Sequence, residues 1–508
     1  MARRGKGSAG AWTNMVLGSG NSTPLRALSL IAAALLLAGC ALNRAGSQEV
    51  SAALERQAQQ ACSVARAYAD GRASASAPTP ATQPGPGAEP LTRLRDYLLL
   101  ALQQNPDILA AQETAHAAAA KVPQVTALPD PMLETRTLPT PYMLADGSQF
   151  FILGVSQQLP LPEKLDLAGR MALEETRMAL AELERARQRV IAEVKRTYFQ
   201  LYVIDRTTEI TLENKEVLRG LIEVARNQVA AGKRSQEDLL RAQLELLNLE
   251  SELIELRQRR TTAAAMLNAL LNRSPATPIP RLVDFDLRRV EAAVTELFAR
   301  AGEVNPELKR FERQIERDRQ AVRLAQLAYW PDINLGFEWM LMEPRAAFRP
   351  PRDPETGMRP AADRMSEEGS DMWAINFSFN VPIWLEKIEA GIREARRRLA
   401  ASTHAYVAAR NTIYFQIADA LARVRAQQEL ADLFATSVIP QARQAYEVSR
   451  ASYMVGAADF QFLVENWQKW LRFRIQYHRA VGEVERSVAD LEQAVGSSIV
   501  EARQLGGS

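Results

Sequence analysis

The chain is written twice, and that constrains its fold more than any other feature of its sequence. Asn105-Pro106-Asp107-Ile108 returns as Asn305-Pro306-Glu307-Leu308, an offset of 200. Leu128-Pro129-Asp130-Pro131 returns loosely as Trp330-Pro331-Asp332-Ile333. Val155-Ser156-Gln157-Gln158-Leu159-Pro160 pairs with Phe377-Ser378-Phe379-Asn380-Val381-Pro382 at 222, Tyr198-Phe199-Gln200-Leu201 with Tyr414-Phe415-Gln416-Ile417 at 216, and Gly232 with Gly456 at 224. Five matches in one order point to an old duplication with small insertions.

Each unit reads alike. A helix (about 91–121, then 290–328) precedes two β-like segments (about 131–138 and 149–159, then 332–342 and 372–382). A very long helix follows (about 163–230, then 386–454), and a return helix closes the unit (about 236–272, then 459–496). At 1.5 Å per residue the first long helix measures ~100 Å, too long for one globular core, so it must pack side-on against other helices. The return helix carries Leu239, Ala242, Leu246, Leu249, Leu253, Leu256, Ala263, Leu267 and Leu270 at spacings of three and four, interrupted at Arg260. That is a coiled-coil seam, and Ile210, Val217, Leu221 and Val224 of the long helix face it. Pro440 should kink or break the second long helix. Its first-unit counterpart is Glu216, so the two hairpins should differ in bend.

The β segments 149–155 and 372–379 have partial two-residue alternation and aromatics near their ends, which suits a lipid-facing barrel. An ordinary soluble hairpin is the alternative. Two units supply four strands. A closed membrane barrel needs at least ~8, so it must be shared: a dimer gives eight strands and a trimer twelve. Since ~8 strands are filled by their own side chains, a conduit requires the trimer or a larger ring.

The N-terminus reads as an address. Arg3, Arg4, Lys6 and Arg26 precede an apolar stretch, Leu28 to Ala38, that ends in Leu37-Ala38-Gly39-Cys40. A start at Met15 would leave only Arg26 as its charge. This resembles a bacterial lipoprotein signal, with Cys40 taking the lipid. Ala41, following the Cys, favours the outer membrane by the same resemblance. Residues 71–90 are a Pro/Ala/Gly tether. The expected division is therefore 1–39 signal peptide, 40–90 lipidated N-terminus and linker, 91–280 first repeat, 281–498 second repeat and 499–508 tail.

Composition excludes other classes. Lys and Arg (62) nearly cancel Asp and Glu (60), so no basic field points to nucleic acid. No apolar run reaches the ~18–20 residues of a membrane-spanning helix. His116, His404 and His478 sit on separate helices without metal-ligand spacing, so neither a metal site nor a cofactor is expected. Phosphate-loop, nucleophile-elbow and paired-carboxylate motifs are lacking, so the chain is not read as an enzyme. Seven of 13 methionines fall in the strands or their connecting loops (Met132, Met143, Met340, Met342, Met358, Met365 and Met372). Thioethers bind soft Cu(I), which would allow a transient metal path, but barrel or loop packing is much the stronger reading of these residues. The stretch 343–370 reads as a long extracellular loop.

From about residue 91 to 498 the chain resembles the TolC-type outer-membrane efflux channels. The family's hairpin tip reads Gly-x-x-Ser-x-x-Asp-Leu-Leu-x-Ala-Gln. Gly232, Ser235, Asp238, Leu239, Leu240, Ala242 and Gln243 match it in full. The second tip begins alike at Tyr453 and Gly456, then departs: Asp459, Phe462, Asn466 and Trp467 replace the Ser, Asp, Ala and Gln. The 128–132 and 381–384 segments look most like the heavy-metal-efflux branch.

The resemblance implies a mainly α fold with a small β part: a trimeric α-barrel of coiled hairpins capped by a twelve-stranded transmembrane β-barrel. It implies a homotrimer that docks a periplasmic adaptor and an inner-membrane pump at its tips, in contact with outer-membrane lipid. At those tips Gly232 and Gly456 permit the reversal, and Ser235 and Asp459 should cap the return helices. Glu237, Asp238, Asp459 and Glu465 would form acidic rings that select cations or latch a gate. Phe462 and Trp467 would form an apolar constriction or an adaptor contact. The expected function is a passive, lipid-anchored exit duct; the alternative is a periplasmic coiled-coil lipoprotein acting as scaffold or adaptor without a pore.

Overall fold

The structure, a computed structural model, describes residues 93–144, 147–230, 235–282, 289–343, 352, 354–358, 371–455 and 457–499. Cys40 with its signal stretch, Cys62, the tether, Gly232, Gly456, most of 343–370 and residues 500–508 lie outside the described residues. The described chain forms two compact units. One comprises Val122–Gly169 and Trp330–Val381; the other comprises 93–121, Arg170–Tyr329 and 382–499. Each unit draws on both repeats.

In the first repeat α1 (Leu94–Gln104), α2 (Pro106–Thr126), β1 (Met132–Leu144), β2 (Gly147–Leu159), α3 (Pro162–Ala230) and α4 (Gln236–Leu270) follow in order. The second gives α5 (Val294–Val304), α6 (Pro306–Gln326), a 3-10 turn (Leu327–Tyr329), β3 (Ile333–Glu343), β4 (Met372–Phe379), α7 (Leu385–Leu433), a π turn (Phe434–Val438), α8 (Ile439–Met454) and α9 (Phe460–Val495).

The expected single first helix is two helices in each repeat, and the repeated Asn-Pro is what divides them. A residue before proline is driven out of the helical region; Asn105 has ψ 124° and Asn305 ψ 121°. Proline then starts the next helix, where its missing N–H costs nothing. Both asparagines do the same work. The Asn105 Nδ2 donates to the Leu270 carbonyl (2.9 Å), while its Oδ1 accepts from the Asp107 and Ile108 amides. The Asn305 Nδ2 donates to the Ala494 carbonyl (2.8 Å), and its Oδ1 accepts from Glu307 and Leu308. Each buried side chain ties the end of a return helix to the start of α2 or α6. Gly496 stands beside the second joint at φ +86°, where a Cβ would lie 2.8 Å from the Asn305 Cα.

Helix α3 runs 69 residues without internal proline. Glu–Arg pairs three residues apart, such as Glu182–Arg185 and Glu216–Arg219, support its outer face. The predicted seam is present. Ala242, Leu249, Leu256, Ala263 and Leu267 of α4 are buried, and Ala242 and Leu249 share a cluster with Ile210, Leu218 and Leu221 of α3. The cluster also takes in Phe460, Leu463 and Trp467 of α9, so the four long helices share one core. Close packing of α9 on α3 needs Gly482, where a Cβ would meet Val203 Cγ2 at 2.2 Å.

Arg260 interrupts the seam for a reason. Its Nε donates to Asp205 Oδ1 (2.7 Å) and its Nη2 to the Ile279 carbonyl (3.0 Å). Asp205 Oδ2 accepts from the Leu282 amide. The pair fastens the inter-repeat connector to the first hairpin.

The bend expected at Pro440 takes the form of a π turn. Proline has no N–H to donate and its ring crowds the carbonyl four residues back. The helix widens just before it, and the Ile439 amide bonds the Phe434 carbonyl instead. Glu216 sits in unbroken α3. Burial also corrects one repeat match. Val190, Val194 and Leu201 are equivalent to Ile413, Ile417 and Val424, all buried, an offset of 223. The Tyr198/Tyr414 match at 216 is therefore one heptad out of step.

The four strands form one antiparallel sheet in the order β1-β2-β3-β4. β1 is longer than expected and shifts register between Thr137 and Tyr142, around Pro139 and Pro141; an edge strand tolerates such prolines. β4 ends earlier than expected, at Phe379. In the same unit Lys164, at the start of α3, pairs with Asp332 (2.8 Å) and donates to the Trp330 carbonyl.

Asp205 is buried, so its partner matters more than the seam. Arg260→Leu restores the heptad yet should cost about 3–5 kcal/mol, because it leaves an uncompensated carboxylate. Adding Asp205→Asn should recover most of that loss. A double-mutant cycle by denaturant unfolding measures both.

Candidate functional site

The candidate site is the pair of hairpin tips, both in the helical unit. At the first, Ser235 adopts an extended N-cap conformation (φ −74°, ψ 146°) and its Oγ accepts from the Glu237 amide at 3.2 Å. Glu237 and Asp238 occupy the first turn of α4, where the helix dipole favours them. At the second, Asp459 holds the N-cap position (φ −80°, ψ 149°), but its side chain makes no capping hydrogen bond, contrary to expectation. There the main chain closes the turn: the Val455 amide donates to Ala451 and the Ala457 amide to Ser452.

The tips are joined by two residues that the sequence reading passed over. Arg241 Nη2 pairs with Glu237 (2.7 Å), and its Nη1 donates to Gln461 Oε1 at 3.0 Å. Gln461 Nε2 then donates to Glu465 Oε1 at 3.0 Å. A continuous chain, Glu237–Arg241–Gln461–Glu465, thus runs from α4 to α9. Its members are exposed, so it adds little to stability and is readily broken. The signal was present in the two four-residue spacings, Glu237 to Arg241 and Gln461 to Glu465. Gln228 Nε2 reaches the Met454 carbonyl at 3.5 Å, a second tie between hairpins.

The aromatic substitutions of the second tip separate into two kinds. Phe462 is exposed. Trp467 is fully buried, which corrects its expected place in a constriction or adaptor contact. Its Nε1 donates to Asn214 Oδ1 at 3.1 Å. Asn466 points inward too, donating to Ser449 Oγ at 2.6 Å. Tyr446 stacks on Trp470 at 5.4 Å, and burial raises its phenol above the ordinary tyrosine range, with Arg450 pulling the other way. These rings are core. On α4 a second apolar row, Leu240, Leu244, Leu247 and Ile254, is 53–63% exposed at heptad spacing.

The tyrosine at the other end of the helical unit, Tyr97, has its phenol pushed up to about 12 by burial and by Tyr198. His478 Nδ1 lies 3.1 Å from the Tyr202 hydroxyl. Neither belongs to a cluster that could do chemistry on a substrate, and among the described residues no three His, Cys, Asp or Glu side chains are grouped to hold a metal ion.

The two kinds of tip aromatic should respond differently. Trp467→Ala should cost about 3–5 kcal/mol, while Phe462→Ala should stay within about 0.5 kcal/mol. Thermal unfolding of the detergent-solubilised protein distinguishes them.

Comparison with known proteins follows the same outline. The cobalt-zinc-cadmium resistance protein CzcC of Cupriavidus metallidurans is 22% identical over 436 residues, covering 81% of this chain and 92% of that protein. Among solved structures, the outer-membrane channel OprN superimposes with a TM-score of 0.66 at 18% identity, covering 80% of this chain and 90% of OprN. The outer membrane protein VceC of Vibrio cholerae does so at 0.64 and 17%, covering 80% and 96%. Residues 98–273 and 297–497 match the sequence model of the family described as Outer membrane efflux protein, one stretch in each repeat. The duplicated hairpins, the four-stranded sheet and this match over most of its length establish that the chain belongs to the outer membrane efflux protein family.

Proposed function

We propose that this outer-membrane efflux protein is the exit duct of a tripartite system: a trimer that conducts passively between a periplasmic adaptor with its inner-membrane pump and the outside. The observation that carries the reading is the four-stranded sheet. The outer edges of β1 and β4 meet no other strand among the described residues. One sheet face is largely apolar: Leu153 and Val155, then Leu335, Phe337 and Trp339, then Trp373, Ile375 and Phe377, with Gln157 opposite Leu335 and Thr135 opposite Leu153. The aromatic and aliphatic side chains of β4 on that face are largely exposed. An apolar face suits lipid, but an open edge in lipid does not, because its backbone groups find no water. Copies of the same sheet joined edge to edge remove the problem, and three give twelve strands. The exposed row on α4 offers those copies a second seam.

Within the trimer the tip network acts as the latch. Glu237 and Glu465 give it negative charge that favours cations, and Arg241 holds the two hairpins of one chain together. The adaptor docks on the tips, where exposed Phe462 offers an apolar contact. Lipid on Cys40 adds an anchor independent of the sheet. The similarity to CzcC supports metal ions as cargo.

Two experiments test the reading. The detergent-solubilised protein should form particles of three chains that conduct in a planar bilayer; a silent monomer, soluble without detergent, would end it. Arg241→Ala should raise basal conductance by ~2-fold or more, since an exposed ion pair is weak enough for the gate to depend on but not the fold. Separately, Cys40→Ser should abolish metabolic labelling with palmitate and leave trimer insertion in place. Persistent labelling of that variant would show the lipid to be elsewhere.

A further inference from the structure

We infer that the polar face of the sheet carries a soft-cation site centred on Met340 and Met372. The inference rests on the proposed duct, because it takes the face opposite the apolar one to line the lumen.

Strand register divides the side chains cleanly. Every methionine whose side chain is described in the strands (Met132, Met340, Met342 and Met372) falls on the polar face, and none on the face of Phe337, Trp339 and Trp373. If these thioethers served only as apolar filling, the lipid face is where they would belong. Instead they share a surface with Ser156, Asn334, Glu338 and Asn376.

Met340 and Met372 are direct partners across β3 and β4. Opposed residues in an antiparallel pair have Cβ atoms about 4.5–5.5 Å apart, so two flexible thioethers there can converge on one ion. Glu338 is two residues along β3 on the same face and faces Ala374, whose small side chain leaves the carboxylate room. On its other side lies Gly154: a Cβ there would stand 3.4 Å from Glu338 Cγ and 3.7 Å from Glu134 Cβ. Gly154 thus lies between the Glu338 and Glu134 side chains on this face. Met372 is 41% exposed, so the site is reachable from water.

Two thioethers and one carboxylate select a soft monovalent cation of the Cu(I) or Ag(I) kind over hard, oxygen-seeking ions. Weak, open coordination is what a conduit requires, since a cargo ion must leave as easily as it enters. The substrate class assigned to the duct is therefore soft metal cations, handled by sulfur in the barrel wall.

Silver nitrate in chloride-free buffer is the probe, titrated calorimetrically into the full chain in detergent. All samples carry Cys62→Ser, which removes a competing thiol. The parent should bind one Ag⁺ per chain, with sulfur scatterers at the silver absorption edge. Met340→Leu with Met372→Leu keeps apolar volume and should weaken binding at least ~10-fold. Glu338→Gln should weaken it ~2–5-fold. Affinity within about two-fold of the parent in the double methionine variant, or no binding by the parent, would overturn the site. If the double variant fails to assemble, Met372→Leu alone decides the matter: undiminished silver affinity there also overturns it. A parent that conducts but ignores silver loses the site and keeps the duct; a parent that does not conduct loses the duct reading itself.

Discussion

A helix ~100 Å long cannot bury its own apolar side chains, and most of this protein follows from that. The rod needs partners along its whole length, and the chain supplies the first by turning back on itself. The two repeats then bring two such hairpins together, so that Leu218 and Leu249 of one and Leu463 and Trp467 of the other share a core. Even this leaves the row Leu240, Leu244, Leu247 and Ile254 uncovered. The demand for lateral partners is thus passed up a level, from helix to hairpin, from hairpin to chain, and from chain to assembly. The sheet passes on the same demand in hydrogen bonds instead of apolar area.

Much of this was legible in the residues, because long elements write long patterns. Four short strands, four long helices and the seam through Ala242 to Leu267 all emerged from periodicity. What escaped was set by single atoms. The Asn-Pro pair advertised the duplication, yet its role as a break depends on one missing N–H and one extended backbone torsion. Arg260 looked like a flaw in a heptad until the connector carbonyl and Asp205 appeared beside it. The site was legible in part. Ser235 caps as its position suggests, but Asp459 at the same position does not. Trp467 was misjudged because a large ring near a turn can face either way, and only the Asn214 acceptor shows which. The match of Tyr198 to Tyr414 failed for a general reason: a heptad pattern resembles itself when shifted by seven.

The repeats are alike where they are joined and different where they end. The two buried asparagines make the same three hydrogen bonds with nearly the same lengths. The tips, by contrast, differ in cap, in aromatic content and in the helix leading to them. Even so, the second tip is not all surface, since Trp467 belongs to the shared core.

The π turn has a consequence for how these two halves grew apart. Offset between equivalent buried positions is 223 before the turn, at Val190 and Ile413, and 224 after it, at Ile222 and Tyr446. The second rod, Leu385 to Met454, is one residue longer than Pro162 to Ala230. An extra residue in a straight helix would rotate everything beyond it by about 100° and turn its seam away from its neighbour. The widened turn swallows that residue and restores the phase, so Tyr446, Ser449 and Tyr453 still face the core. Read this way, Phe434–Val438 is the scar of an insertion that the hairpin survived by absorbing it in a single turn.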